Sequence, residues 1–352
     1  MVDLSPLFVI RPQSRRVAHS PLLRKQYHER LVLHHLDHRD LREEFRQEVE
    51  QGLSASPKRI PPKFFYDRRG SELFEKITKT EEYYPTRTEA GILAASAREI
   101  VEAAGTELTL IEFGSGSSTK TRLLLDVLTA RQEEVEYVPI DISPTIVQEF
   151  GPLLLERYGN LEIRGLITDY HHAIEELNAH PRKARLFLFL GSSLGNFSPD
   201  EARHFLSEVG AALEPQDRLL LGVDLIKQPE ILDRAYNDSA GVTAAFNLNL
   251  LTRINRELRG HFDLSRFRHL AFFNKAHSRI EMHLESLEDQ TVRIDEFGRS
   301  FSFARKETVH TENSHKYDYA TLTDLFGGAG MTLLGRWCDP DEWFALNLLG
   351  PA

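Results

Sequence analysis

Short apolar runs alternate regularly with helical segments between Leu108 and Val223, and this alternation limits the folds open to the chain. The runs are rich in Leu, Ile, Val and Phe, which is typical of strands buried on both faces of a sheet. Strands that alternate with helices form parallel sheets with crossover helices. The sequence therefore predicts an α/β fold with a doubly wound sheet, whose strands we place at 108–113, 137–140, 162–167, 186–190 and 218–223.

A glycine-rich loop follows the first predicted strand. Gly114, Ser115 and Gly116 come directly after Phe113, and a helix is predicted from Lys120. Glycine permits a tight turn and a close approach of the backbone to a ligand, while a helix N-terminus offers free N–H groups. By itself the loop also fits a plain structural turn, but it is consistent with a site for a cofactor that carries a nucleoside.

Acidic residues at two further strand ends support this interpretation. Asp141 ends the second strand, 27 residues after Gly114, and is placed to accept hydrogen bonds from ribose hydroxyls of either NAD or S-adenosylmethionine. Asp169 and Tyr170 follow the third strand and are placed to border an adenine. A dinucleotide fingerprint has a third glycine where this chain has Thr119, which disfavours a nicotinamide-dependent oxidoreductase. The loop instead resembles motif I of the class I S-adenosylmethionine methyltransferases.

Composition excludes several classes of protein. The 352 residues include 43 Lys and Arg against 53 Asp and Glu, and a net charge of −10 disfavours a broad surface for nucleic acid or anionic membranes. Cys338 is the single cysteine, so an intrachain disulfide and a multi-cysteine zinc site are excluded. No apolar run approaches the roughly 18 residues of a membrane span. These features predict a soluble, cytoplasmic protein.

The N-terminal region has no lasting periodicity, and we predict that residues 1–35 form a mobile arm. His34, His35 and His38 lack convincing carboxylate partners, so we expect solvated side chains there and no metal site. An amphipathic helix is predicted next, with apolar positions Leu36, Leu41, Phe45, Val49 and Leu53. We expect Ser71 to cap the following helix and Thr88 to open another.

The pattern changes after the fifth strand and changes back near the C-terminus. Between Lys227 and about Ser314, a long helical region precedes alternating strand-like runs, which predicts an insertion or a second domain. A helix over Tyr319–Gly328 and a closing pair of strands, at 331–337 and 343–349, then predict that the chain returns to the first domain.

Two polar segments are candidates for a substrate site. Gly191 to Pro199 follows the fourth strand, at the edge where doubly wound sheets bind ligands, but it also fits an ordinary turn with Ser198 as helix cap. Thr311 to Tyr317 brings carboxylate, hydroxyl and imidazole groups together, and also fits a solvated polar turn. Each segment in isolation favours the ordinary turn.

Together with other motifs, these segments resemble one family, the L-histidine Nα-methyltransferases of ergothioneine biosynthesis. The resemblance covers the chain from about Ile60 to its end, and its many matches occur in the same order. They are the segments 61–74, 83–87, the Gly114 loop, 190–196, Asp233 to Asn237, Phe246 to Asn249 and His310 to Ser314. The family fold is a class I methyltransferase domain with a discontinuous α+β substrate domain. The resemblance implies domains at 36–86 with 227–315 for the substrate, and 87–226 with 316–352 for methyl transfer.

The resemblance also implies roles for individual residues. Asn196 and Tyr236 would hold the α-amino and carboxylate groups of the substrate, helped by Gly191 and Ser193, and Tyr66 would lie beside the amino nitrogen. Tyr83, Glu312 and Ser314 would bind the imidazole, with Met282 packed against it. S-adenosylmethionine would be bound by Gly114, Ser115, Gly116, Lys120, Asp141, Asp169 and Tyr170.

The implied activity is the transfer of three methyl groups to the α-amino group of L-histidine, giving hercynine. The enzyme would need no metal, would bind small molecules only, and is expected to be a monomer. Two alternatives stay open: methylation of another amino acid such as tryptophan, and a non-catalytic sensor of S-adenosylmethionine. Asn313 and His315 are bulkier than expected beside Glu312 and Ser314, and we expect the His315 side chain to face solvent.

Overall fold

A nine-stranded sheet forms the centre of the computed structural model, which describes residues 23–36, 40–116, 118–179 and 183–352. The strands of the described residues are β1 (Leu23–His28), β2 (Leu31–His35), β3 (Lys58–Arg59), β4 (Leu108–Phe113), β5 (Val135–Asp141), β6 (Leu161–Ile167), β7 (Ala184–Phe189), β8 (Arg218–Asp224), β9 (Phe267–Asn274), β10 (Arg279–Ser286), β11 (Gln290–Ile294), β12 (Arg299–Phe303), β13 (Thr308–His315), β14 (Met331–Cys338) and β15 (Phe344–Pro351). The α-helices are α1 (Leu41–Ser54), α2 (Arg68–Ile77), α3 (Pro85–Ala104), α4 (Thr121–Arg131), α5 (Pro144–Arg157), α6 (Tyr170–Ala179), α7 (Pro199–Ala212), α8 (Pro229–Ala235), α9 (Val242–Leu258) and α10 (Tyr319–Gly328).

The strand order of the large sheet is β1-β2-β6-β5-β4-β7-β8-β15-β14. Neighbours from β2 to β8 run parallel, whereas β1, β15 and β14 pair antiparallel. Successive residues of β4 enter separate cores on the two faces, with Leu110 in one and Ile111 in the other. From β4 the sheet continues to β5 on one side and to β7 on the other. The carboxyl ends of strands at such a change of direction border a crevice. The predicted α/β class and the closing strand pair are confirmed.

The segment before Leu36 departs from the predicted mobile arm. Residues 23–35 form the hairpin β1-β2, and β2 adds a parallel strand beside β6. Leu31 and Leu33 are buried in the core, and a Cβ on Gly165 would lie 2.5 Å from Leu33 Cδ2. The prediction is therefore wrong for residues 23–35, because two buried leucines at a strand period outweigh the polar residues around them. Residues 1–22 and His38 lie outside the described residues.

Two helices begin earlier than predicted. Asp67, and not Ser71, caps α2, because its carboxylate accepts a hydrogen bond from the Gly70 N–H at 2.7 Å. Helix α3 begins at Pro85, whose missing N–H is no loss in a first turn, so Thr88 lies inside the helix. These starts place Tyr84 directly before α3 and Tyr66 directly before Asp67, the cap of α2.

A second apolar core lies beside the large sheet. It is enclosed by a four-stranded sheet in the order β3-β13-β10-β9, by the pair β11-β12, and by the helices α1, α2, α8 and α9. Its buried residues come from two stretches of chain, 45–84 and 232–309. In this smaller sheet Met282 lies opposite Glu312 and Ile280 lies opposite Ser314, so these four side chains share one face.

Across the ranges that the structure describes, no helix combines the length and the apolar character needed to cross a membrane.

Candidate active site

The glycine loop after β4 adopts a backbone that favours glycine. Gly114 has a φ of +69° and Gly116 a φ of +47°, both in the left-handed region. A Cβ on Gly114 would lie 2.9 Å from the Tyr170 hydroxyl oxygen, so a side chain there would displace this tyrosine. The Gly114 N–H donates to the Ile140 carbonyl at 2.9 Å, which ties the loop to the end of β5.

Polar groups around this loop are suited to a ligand. The Ser115 hydroxyl is buried and has no hydrogen-bond partner within the described part of the chain. Asp141 accepts the Ser143 N–H at 2.9 Å and also accepts from the Gly116 backbone. Burial raises the pKa of Asp141 to about 6, although these backbone N–H groups lower it. The loop, the buried hydroxyl and this carboxylate thus lie together at one edge of the sheet.

Tyr170 and Asp169 border the same edge. The Tyr170 ring packs edge-on against Phe113 and Phe189, with centroids 5.4 and 5.6 Å away. The Asp169 carboxylate accepts the His172 N–H at 2.9 Å and lies 3.0 Å from His172 Nδ1. Asp169 therefore supports the first turn of α6 in addition to any contact with a ligand.

Lys120 is held by a carboxylate that the sequence analysis missed. Glu89, from α3, is fully buried, forms an ion pair with Lys120 and accepts the Gly191 N–H at 2.9 Å. A Cβ on Gly222 would lie 2.1 Å from Glu89 Oε1, so glycine is required in β8 to make room for this carboxylate. Glu89 thus connects the glycine loop to the segment after β7. A charged residue on the apolar face of a predicted helix was the available signal.

The segment after β7 is compact. Gly191 has a φ of +76°, and the Ser193 hydroxyl donates to the Leu190 carbonyl at 2.9 Å. Gly195 packs against β13, because a Cβ there would lie 2.8 Å from the His315 carbonyl oxygen. The half-buried Asn196 ends this 3₁₀ turn, so the turn carries it to the neighbourhood of β13.

Glu312 provides a buried acceptor on the face of the small sheet. Its side chain lies beside Met282, its register partner, and Glu312 is only 8% exposed. Burial raises the pKa of Glu312 to about 7, and the nearby Lys316 offsets this only in part. None of the described residues forms a side-chain hydrogen bond with this carboxylate, so it can accept one from a ligand.

Ser314 and Tyr236 form a hydrogen-bonded cluster with Lys316. The Tyr236 hydroxyl donates to Ser314 Oγ at 2.8 Å. The Lys316 ammonium donates to Ser314 Oγ at 2.8 Å and to Tyr236 Oη at 3.2 Å. Lys316 lies in the segment from Thr311 to Tyr317 that was a candidate from the sequence, but no role was predicted for this lysine.

Asp224, at the end of β8, is the counterion of this cluster. Its carboxylate accepts from Lys316 at 2.7 Å, from Lys227 at 2.6 Å and from the Tyr84 hydroxyl at 2.8 Å. Burial raises its pKa, but the two lysines outweigh burial and hold the pKa of Asp224 below its usual value. Burial lowers the pKa of Lys227 to about 8. The Asp224 N–H also donates to Ser192 Oγ at 2.9 Å, which joins this cluster to the segment after β7.

Aromatic rings form one wall of the site. The rings of Tyr66, Phe74, Tyr83 and Tyr236 follow one another with centroid distances of 5.7, 6.2 and 6.2 Å. Tyr66 leaves 40% of its surface exposed, whereas Tyr83 and Tyr236 are buried. Desolvation raises the pKa of the Tyr66 phenol, and the Glu312 carboxylate adds to this effect, so Tyr66 stays protonated at neutral pH.

Comparison with known proteins shows the family of this chain. A family model described as histidine-specific, S-adenosylmethionine-dependent methyltransferase matches residues 45–351. The chain belongs to this family. The fold class, the cofactor and the enzyme class expected from the sequence are therefore confirmed: this is an S-adenosylmethionine-dependent methyltransferase of the histidine-specific family.

Individual relatives agree with this family. The histidine N-alpha-methyltransferase of Mycolicibacterium smegmatis is 42% identical over 307 residues, covering 87% of this chain and 94% of the relative. That of Mycobacterium tuberculosis is 41% identical, covering 86% and 94%. Ergothioneine biosynthesis protein 1 of Neurospora crassa is 30% identical over 312 residues, covering 83% of this chain and 33% of that protein.

One expectation about the site of this histidine-specific methyltransferase is wrong. His315 does not face solvent: it is 8% exposed, and its Nε2 atom has no hydrogen-bond partner among the described residues. Burial lowers the pKa of His315 to about 4, so the ring is neutral. As the last residue of β13, His315 alternates with Ser314 and lies on the opposite face of the sheet.

Proposed function

We propose that this methyltransferase transfers methyl groups from S-adenosylmethionine to the α-amino nitrogen of L-histidine, three times in succession, giving hercynine. The observation that carries the proposal is the pairing of a buried carboxylate, Glu312, with a buried hydroxyl, Ser314, on one face of the small sheet. A histidine ring presents two nitrogen atoms, and a site built for both leaves its own polar groups unsatisfied with a ligand that lacks them. The names of the two mycobacterial relatives support the same substrate and position.

The glycine-loop side of the cleft is proposed to bind the cofactor. Bound S-adenosylmethionine supplies an electrophilic methyl group on a sulfonium. Gly114 and Gly116 bring backbone close to the cofactor, Ser115 offers its unpartnered hydroxyl, and Asp141 accepts from the ribose. Lys120, positioned by Glu89, is proposed to bind the carboxylate of the cofactor. Asp169 and Tyr170 border the adenine in this proposal.

The α-amino end of histidine is proposed to bind near Asn196, with help from Gly191 and Ser193. Tyr236 donates its proton to Ser314 and accepts one from Lys316, so its oxygen offers a remaining lone pair and no proton. A lone pair suits an amino group and not a carboxylate. We therefore assign Tyr236 to the amine and Asn196, whose amide both donates and accepts, to either group.

The reaction needs a neutral amine aimed at the methyl carbon, so positioning supplies most of the catalysis. Tyr66 is proposed to lie beside the amine, because its protonated phenol lines the open part of the cleft. As methyl groups accumulate, the nitrogen loses N–H donors and becomes a cation. The ring face of Tyr66 suits such a cation, and its hydroxyl suits the amine that precedes it. Tyr83 and Met282 are proposed to close the imidazole side.

The proposal extends to the organisation and setting of the enzyme. The substrate domain is taken as 36–86 with 227–315, and the methyltransferase domain as 87–226 with 316–352. We propose a cytoplasmic monomer that acts on histidine and its mono- and dimethyl forms, in the first step of ergothioneine biosynthesis.

Mass spectrometry of the protein incubated with S-adenosylmethionine and each of the twenty amino acids tests the proposal. We expect mass gains of one, two and three methyl groups on histidine alone. Methylation of tryptophan or another amino acid instead of histidine would overturn the imidazole assignment. Cofactor binding without any methyl transfer would favour the sensor alternative.

A pair of variants tests the imidazole site directly. Glu312→Gln is expected to raise the KM for histidine by about tenfold or more, through loss of a charged hydrogen-bond acceptor. Glu281→Gln is the matched control, since Glu281 is also a buried carboxylate but lies on the other face of β10, paired with Arg279. An unchanged KM in Glu312→Gln, or equal increases in both variants, would contradict the assignment.

A further inference from the structure

We infer that Lys316, anchored by Asp224, makes the Ser314 hydroxyl a hydrogen-bond donor towards the substrate ring, so that the site takes a neutral imidazole with its unprotonated nitrogen at Ser314 and its N–H at Glu312. The inference rests on the proposed function and specifies which form of the ring is bound. Lys316 is a positioning residue here, because it acts through Ser314.

The three N–H donors of the Lys316 ammonium are all assigned. They reach Asp224 Oδ2 at 2.7 Å, Ser314 Oγ at 2.8 Å and Tyr236 Oη at 3.2 Å. The lysine side chain is 1% exposed and the aspartate side chain is fully buried, so solvent does not compete for these donors. A buried ammonium donates and never accepts. Each of the two hydroxyl oxygens must therefore use one of its own lone pairs to accept a hydrogen bond from Lys316.

This arrangement determines the direction of the Ser314 hydroxyl. Ser314 Oγ accepts from Lys316 and, at 2.8 Å, from the Tyr236 hydroxyl, which uses both of its lone pairs. Its own proton must then point away from both. Within the described part of the chain no residue accepts that proton, so it is available to a ligand.

Glu312 is a hydrogen-bond acceptor on the same face of the small sheet as the Ser314 donor. Glu312 and Ser314 are two residues apart on β13, and a carboxyl group offers an accepting oxygen in either protonation state. One fixed donor and one acceptor match a neutral imidazole, which carries one lone-pair nitrogen and one N–H. An imidazolium ion would place an N–H against the Ser314 proton. The pair thus distinguishes neutral imidazole both from imidazolium and from rings that lack the second nitrogen.

The test compares substrates that share the amine and differ in the ring. Pyrrol-2-ylalanine and pyrrol-3-ylalanine each keep one ring N–H and replace the lone-pair nitrogen with carbon. The two isomers differ in which ring position carries the N–H. We take the isomer with the higher kcat/KM as the reference, because the higher value identifies the ring whose N–H reaches Glu312. For the wild-type protein we expect kcat/KM on histidine to exceed that on the reference by about tenfold or more. Equal kcat/KM values would overturn the inference.

Variants then distinguish the effect of Lys316 on Ser314 from the general effect of removing a buried positive charge. Ser314→Ala removes the hydrogen-bond donor. In this variant we expect kcat/KM on histidine to exceed that on the reference pyrrole by about threefold or less. Lys316→Met is expected to reduce this preference in part, because Ser314 keeps its hydroxyl but is free to turn the proton away from the ligand. Lys227→Met is the matched control: Lys227 also binds Asp224, at 2.6 Å, but contacts neither Ser314 nor Tyr236. This control is expected to keep the wild-type preference.

Two outcomes in the variants would overturn the inference. The first is a wild-type preference in Lys316→Met combined with its loss in Ser314→Ala. The second is an equal loss in Lys227→Met. If Lys316→Met does not fold, Lys316→Gln replaces it, since the amide can still donate to Ser314 and is expected to retain a preference above that of Ser314→Ala. Failure of the wild type to methylate histidine in the same reactions would instead contradict the proposed function itself.

Discussion

Glu312 combines a functional demand with a cost in stability. Burial raises its pKa to about 7, which means that the folded protein holds the proton more tightly than the unfolded chain does. A carboxyl group with a raised folded pKa favours the folded state at low pH, and this contribution is lost as pH rises through about 7. The ionised acceptor that suits histidine is thus the form that burial disfavours.

Glu312→Gln should therefore stabilise the protein at pH 8 while impairing histidine binding. Glutamine has the same shape without the charge, so we expect the free energy of unfolding at pH 8 to increase by at least about 1 kcal/mol. At pH 5.5 the gain should be smaller, because Glu312 is protonated in the folded protein but still ionised in the unfolded chain; it should vanish only below the usual pKa of 4.5. Denaturant titrations at the two pH values measure both differences.

Glu281→Gln is the control of opposite sign. Burial raises the pKa of Glu281, but Arg279 outweighs it and holds that pKa below its usual value. Glu281 therefore stabilises the fold when ionised, and its variant should be less stable than the wild type at both pH values. A stabilising effect in both variants at pH 8 would show that buried charge in general, and not the site of Glu312, is responsible.

At the scale of elements, the contact between the turn Ser193–Asn196 and β13 aligns the two halves of the substrate site. Gly195→Ala would place a Cβ 2.8 Å from the His315 carbonyl oxygen and force β13 or the turn to move. We expect the KM for histidine to rise by about tenfold or more, because small displacements of positioning groups are costly. Gly327→Ala is the control, since a Cβ there meets no atom within 4 Å. Equal KM values in the two variants would refute the alignment.

The hairpin β1-β2 contributes to stability as an element of the large sheet. Leu33→Ala removes a fully buried side chain and is expected to lower the free energy of unfolding by about 2–5 kcal/mol. Leu153→Ala, at a position 62% exposed, is expected to change it by less than about 0.5 kcal/mol. Chemical denaturation of both variants checks this. An unchanged free energy of unfolding in Leu33→Ala would favour the mobile-arm interpretation for this segment.

At the scale of the whole molecule, β8 carries a buried carboxylate at each end. Asp224 ends the strand beside the substrate site, and Asp217 precedes it, paired with Arg185 at 2.9 Å. Removal of either charge leaves buried cations without a partner, so Asp224→Asn and Asp217→Asn should each cost about 3–5 kcal/mol of stability. Only Asp224→Asn should also raise the KM for histidine, because Asp224 holds Lys316. Matched effects on KM would mean that lost stability alone explains them.

Features that depend on local sequence patterns were predicted, whereas features that depend on contacts between distant residues were not. Strands such as β4 and the glycine loop depend on local patterns, and their positions were predicted to within a few residues. Glu312 and Ser314 entered through a family resemblance, since their own segment also fitted a solvated turn. Glu89 and Lys316 were missed because their roles depend on partners far away in the chain, Gly191 and Asp224, which no local pattern reveals. The hairpin β1-β2 was missed because two buried leucines are a weak signal among polar residues.

The Asp224 cluster also lies where the chain passes between the two proposed domains. Tyr84, Lys227 and Lys316 stand at the three crossings, and each binds the same carboxylate. Three linkers spread over an interface would hold two bodies in one orientation, whereas linkers gathered at one point act as a single pivot. Any relative movement of the two proposed domains would then be a rotation about the end of β8, with the largest displacement far from that point. Ser314 and Lys316, next to the pivot, would keep their hydrogen bond during such a rotation.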